Sequence, residues 1–93
     1  MTYPIEHHPE QSRFQAVIEG HLCVADYTLS PGVMHIVHTG VHPSLEGRGI
    51  AAALIAAAFE HARGHNLKID PVCSYVRVYI RRHPETRDRV ATA

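Results

Sequence analysis

The 93-residue chain is predicted to fold as an α+β (mixed α/β) unit: a three-stranded antiparallel meander, a helical crossover to a fourth strand, then C-terminal helices. Three observations carry this expectation. Apolar and polar residues alternate from Arg13 to Glu19, and two more β-rich runs follow across short turn-like segments. An alanine-rich stretch from about Gly47 to Arg63 has the spacing of an amphipathic helix. A short apolar run, Leu67 to Asp70, comes straight after it, as a strand–helix–strand unit requires.

Residues 1–12 are polar, carry two prolines and read as an irregular lead-in to a single domain spanning 1–93. In the first strand Phe14, Ala16 and Ile18 point one way and Gln15, Val17 and Glu19 the other. Gly20-His21 is the expected turn into a second strand, Leu22 to Leu29. Ser30-Pro31-Gly32 is a turn by composition, and Val33 to Val41 is a third strand rich in β-branched residues. Pro43 to Glu46 reads as loop. The helix that follows buries Ile50, Leu54, Ile55, Ala58, Phe59 and Ala62, and it ends at Gly64 with His61 and Arg63 in its last turn. The fourth strand is expected to lie parallel to the third, and Pro71 closes it. Cys73 or Ser74 to Arg82 is helical with a stripe of Tyr75, Val76, Tyr79 and Ile80; Pro84 then breaks the helix and starts a last turn through Val90.

Composition narrows the function. Lys+Arg and Asp+Glu are both 9, so no overall field favours nucleic acid or a membrane surface. The N-terminus lacks a signal-peptide core and no apolar run approaches a membrane span, so a soluble, cytoplasmic protein is expected. Two cysteines, Cys23 and Cys73, make no disulfide framework. Arg77, Arg81, Arg82, Arg87 and Arg89 crowd the last third against Glu85 and Asp88, which suits either an anionic ligand or a solvated helix face. Nine histidines invite a metal, but no set has zinc spacing. His35 and His38 are an odd number apart on a strand and point to opposite faces; His38 and His42 are about 13 Å apart in an extended chain.

The most informative segment is Val41 to Ala51. A strand end, the turn Gly47-Arg48-Gly49 and a helix N-terminus together make a phosphate-holding device. Glycine allows the tight turn and close approach, the first helical amides have no intrahelical partner, and Arg48 adds a full charge. An ordinary strand-to-helix turn is the plain alternative. Ligands in open sheets also bind where parallel strands end and a helix begins, and that place is this same turn.

Ser44-Leu45-Glu46-Gly47-Arg48-Gly49 resembles the acyl-CoA signature of the GNAT-superfamily N-acetyltransferases, with Ser44 where glutamine or arginine is usual. A fuller resemblance is to the minimal, single-domain GNAT-like acetyltransferases. It rests on His38-Thr39-Gly40-Val41, Gly47-Arg48-Gly49-Ile50, the run Lys68, Pro71, Cys73, Tyr75, Val76, and Arg81-Arg82-His83-Pro84-Glu85, over about Phe14 to Val90. The resemblance implies acetyl-CoA as donor, with its pyrophosphate on Gly47, Arg48, Gly49, Ile50 and Ala51, Glu46 beside it, and its pantetheine arm along Val41. It also implies active-site roles for Cys73 and His38.

Cys73, at a helix start, has the surroundings that favour thiolate, and a thiolate beside a thioester can take its acyl group. A buried structural cysteine is the alternative; mid-strand Cys23 has only that reading. Histidine titrates near neutrality, so His38 suits general-base work on an amine or thiol, or else a satisfied strand position. A tyrosine, Tyr75 or Tyr79, could protonate the departing thiolate, though both fit core packing better. The expected activity is acetyl-CoA-dependent transfer to an unidentified amine, either a small molecule or a protein lysine. A CoA-binding module without activity and a small interaction domain are the competing readings.

Overall fold

The computed structural model describes residues 3–91; residues 1, 2, 92 and 93, the outer ends of the expected 1–93 span, lie outside it. Five strands form one sheet in the order β1-β2-β3-β4-β5: β1 Glu6–His8, β2 Arg13–Ile18, β3 His21–Ser30, β4 Val33–Gly40 and β5 Lys68–Pro71. The first four are antiparallel and β5 runs parallel to β4. Helix α1, Ile50–Gly64, makes the crossover, and α2, Ser74–Arg82, follows β5. Short 3-10 turns at Pro9–Gln11, Pro43–Leu45 and Pro84–Arg89 each begin on a proline, whose fixed φ suits a first helical position.

The lead-in is not irregular. Glu6–His8 adds a fourth antiparallel strand to the meander, held by more than backbone pairing. The His7 ring stacks on Phe14 at 4.1 Å, and its Nε2 lies 2.7 Å from the Tyr27 hydroxyl. Other boundaries also differ from expectation: α1 starts at Ile50 rather than at about Gly47, because Gly47 and Gly49 are left-handed. The β2–β3 turn is Glu19-Gly20 rather than Gly20-His21, with both residues left-handed as a tight hairpin requires. Pro43 to Leu45 is an ordered turn rather than loop, because Leu45 is buried and the His42 ring accepts a hydrogen bond from the Ser44 amide at 3.1 Å.

One face of the sheet is covered. Phe14, Cys23, Ala25, Tyr27, Met34, Ile36 and Ile69 meet Ile50, Leu54, Ile55, Ala58, Phe59 and Ala62 of α1 and Val76 and Tyr79 of α2 in one core. The opposite face leaves the cross-strand pair Val17 and Leu22 exposed. On that face the His35 ring ties β4 to β5, with Nδ1 2.6 Å from Asp70 and Nε2 2.8 Å from the Ser30 hydroxyl.

A β-bulge decides what reaches the site. Asp26 pairs with His38 and Tyr27 with Ile36, so Val37 is an extra residue in β4. One extra residue reverses the alternation beyond it. Thr39, opposite buried Ala25, therefore turns to the helix side, and His38, opposite Asp26, turns to the open face. His35 and His38 consequently share a face, against the expectation that an odd separation would oppose them.

Candidate active site

The β4–β5 ladder ends at Ile36 and Pro71. Beyond it the Cys73 amide still donates to the Ile36 carbonyl at 2.9 Å, but the chain then turns into α2 while β4 runs on to Gly40. The two strands part, and a cleft of about 640 Å³ opens along the end of β4. Its walls are Thr39 to Val41, Leu45, Glu46, Gly47 and Gly49 of the turn, the first residues of α1, and Tyr75 and Arg82 of α2.

The turn has the geometry expected of an anion site. Gly47 and Gly49 have φ of +82° and +79°, a region glycine enters without strain, and a Cβ added at either would meet nothing within 4 Å. Gly49 is the N-cap of α1 and no side chain caps the helix, so its first amides remain available to a ligand. Val41, Glu46, Gly47, Gly49, Ile50 and Ala51 all line the cleft. Arg48 does not: its guanidinium pairs with Glu19 of the β2–β3 turn, and its carbonyl accepts a 2.5 Å hydrogen bond from the Tyr3 hydroxyl.

Cys73 is the N-cap of α2 and is partly buried. Its Sγ lies 3.7 Å from Oγ1 of Thr39, a cleft residue. Burial pushes the thiol pKa up, but hydrogen bonds from the Thr39 hydroxyl and from the backbone of Tyr75, Val76 and Thr39 outweigh it, so the net shift is downward. Cys23 is fully buried mid-strand, with no access to the cleft.

His38 is not brought to Cys73. Its ring folds over Gly40 on the open face, with Nε2 3.2 Å from where a Gly40 Cβ would stand. The two residues expected to act as nucleophile and base thus lie on opposite sides of β4, an arrangement the bulge imposes. The two tyrosines also separate. Tyr79 is buried and stacks on Phe59 with ring centres 5.9 Å apart, whereas Tyr75 lines the cleft. Arg82, read from sequence only as one of five arginines suited to an anionic ligand or a solvated face, lines the cleft beside Tyr75; their separation of seven, two full helical turns, is the signal that places both on one side of α2.

The family model for GCN5-related N-acetyltransferases matches residues 13–89. The chain belongs to this family. A solution structure of a GCN5-like protein from Staphylococcus aureus, provisionally named an N-acetyltransferase, superposes on this family member with a TM-score of 0.78. The two chains are 26% identical, and the match spans 98% of this chain and 90% of that one. Membership supports acetyl transfer as the general chemistry of this N-acetyltransferase-family chain, and the mixed sheet with helices on one face agrees with that structure. Among the described residues no helix is long and apolar enough to cross a membrane.

Proposed function

We propose that the chain, acting as one domain, is an acetyl-CoA-dependent N-acetyltransferase. The observation that carries this is the cleft itself. It joins the uncapped N-terminus of α1, suited to a pyrophosphate, to a free strand end at Thr39 to Val41, suited to a pantetheine amide chain, and Cys73 lies against Thr39. The amides from Gly47 to Ala51 hold the pyrophosphate, and the backbone near Val41 pairs with the pantetheine arm.

In this reading the Cys73 thiolate attacks the thioester carbonyl, the bond from carbonyl carbon to CoA sulfur breaks, and CoA leaves as a thiolate. Tyr75, in the cleft wall, protonates it. The acceptor amine then attacks the acetyl-cysteine carbonyl, the Cys73 thiolate is released, and the amine's proton passes by way of a water to His38 across the parted strands. Because His38 is exposed on the open face, it serves the incoming amine rather than the thiol. Direct attack of the amine on acetyl-CoA uses the same groups without the acetyl-cysteine. Both cysteines are unpaired, which suits a reduced, cytoplasmic setting.

The test is intact-protein mass spectrometry after incubation with acetyl-CoA alone, followed by rapid acid quench. The covalent route gives one added acetyl group on wild type and none on Cys73→Ser. Transfer of the acetyl group to an amine acceptor, with free CoA released, at an undiminished rate in Cys73→Ser favours direct transfer. Absence of any acetyl-CoA binding or turnover overturns the proposal.

A further inference from the structure

The positive side chain in the cleft is not the one the glycine turn carries. Arg48 stands between two left-handed glycines, but its guanidinium is engaged by Glu19 and its carbonyl by Tyr3, two contacts that fasten the turn to the β2–β3 hairpin and the N-terminal segment. Arg82 lines the cleft from the last turn of α2 and, among the described residues, has neither a carboxylate partner nor a side-chain hydrogen bond. Most other arginines are occupied: Arg13 by Asp26, Arg63 by Asp88, Arg77 by the carbonyls of Pro71 and Val72. Glu46 is the one acidic residue among those lining the cleft, so a phosphate there needs a cation to offset it.

The spacing along α2 fits. Seven residues at 1.5 Å each put Arg82 about 10.5 Å along the axis from Tyr75. Tyr75 contributes a backbone hydrogen bond to the Cys73 sulfur and so marks the reactive end of the cleft; Arg82 marks the far end.

We propose that Arg82 is the side chain that recognises phosphate in this cleft, setting a preference for the nucleotide-linked carrier over free pantetheine, while Arg48 is a strut that holds the turn. The proposal rests on the reading of the cleft as a CoA site. An arginine–phosphate pair is bidentate and charge-assisted, whereas a lysine supplies a point charge only.

Calorimetric titration of wild type, Arg82→Ala, Arg82→Lys and Arg81→Ala with CoA and with pantetheine tests it. Arg81→Ala removes the same charge from the same helix outside the cleft. Arg82→Ala is expected to weaken CoA by roughly tenfold, the scale of one charge-assisted hydrogen bond, with pantetheine unaffected. Arg82→Lys restores part of that loss, Arg81→Ala keeps wild-type affinity, and the loss shrinks at high salt. Arg82 is exposed, so its variants keep the fold, which a melting curve checks. Equal CoA affinity in wild type and Arg82→Ala overturns the assignment alone, as does an equal loss for CoA and pantetheine. Failure of wild type to bind CoA at all overturns the cleft reading as well.

Discussion

Leu45 links the stability of the fold to the shape of the cleft, and its truncation separates the two. The side chain is 1% exposed and joins the core from the 3-10 turn, yet it also forms part of the cleft floor. Leu45→Ala removes three carbons, worth about 0.8 kcal/mol each on transfer, or about 2.4 kcal/mol. The vacated space adjoins an open cleft, so water enters it and little cavity penalty is added. Leu54 is fully buried and does not line the cleft, so Leu54→Ala leaves a dry cavity and costs about 3–5 kcal/mol. Against a total of about 5–14 kcal/mol for a chain of this length, Leu45→Ala keeps about half of even the lowest value and folds, and Leu54→Ala folds where the wild type exceeds about 5 kcal/mol. Urea denaturation gives the two costs, and calorimetry with CoA gives the second readout. Leu45→Ala melts roughly 10–20 °C below wild type and binds CoA more weakly, because the turn has lost its anchor. Leu54→Ala is the less stable of the two and keeps its affinity at temperatures where it is folded. A cost below about 1 kcal/mol for Leu45→Ala, or a CoA loss as large in Leu54→Ala, refutes the argument that one side chain anchors the turn.

Other consequences follow from the same geometry. Iodoacetamide at neutral pH alkylates Cys73 and spares buried Cys23, and Thr39→Val slows the reaction at Cys73 by removing a hydrogen bond that favours thiolate; peptide mapping checks both, and equal labelling of the two cysteines contradicts the environment described. His38→Ala leaves formation of acetyl-Cys73 from acetyl-CoA unchanged while slowing transfer to an amine by about 10²–10⁴-fold; a matching loss in the first step would mean that the ring reaches the thiol after all. Burial, then the neighbouring His65, holds His7 and His61 below histidine's ordinary 6.5, with Glu10 opposing at His7. The unfolded chain therefore binds more protons than the folded one just below pH 6.5, so their contribution to stability falls as pH drops through that window and is present above it. Urea midpoints from pH 7.5 to 5 measure this, and His61→Gln reduces the slope; a midpoint that rises on acidification in wild type but not in the variant contradicts it.

What was legible from sequence follows from periodicity and punctuation. The apolar stripe of α1, the Gly47-Arg48-Gly49 turn and the β4–α1–β5 crossover are set by local spacing and by residues with strong conformational preferences, so they stand where expected. Glu6–His8 gave no signal, because a three-residue strand is too short for alternation and is held by the His7 stack on Phe14, a tertiary contact. The Val37 bulge was equally silent: no glycine or proline marks it, yet it reverses the faces of His38 and Thr39 and thereby parts the His38 ring from the Cys73 thiol. Glu19 adopts a left-handed conformation more often filled by glycine or asparagine, which moved the β2–β3 turn by one residue. Arg48 is drawn away from the cleft for a related reason, since its ion pair with Glu19, across 29 residues of sequence, is a product of the fold and not of the motif.

The most direct test of the central claim is calorimetric titration with acetyl-CoA of wild type beside Gly49→Asp. A Cβ at this position meets open space, and aspartate tolerates the strained left-handed φ of +79° better than most residues; a melting curve checks that the variant is folded. Its carboxylate stands at the helix N-terminus, the proposed pyrophosphate site. Binding by wild type that the substitution abolishes is the predicted result. No binding by wild type, or equal binding by the two proteins, contradicts the account.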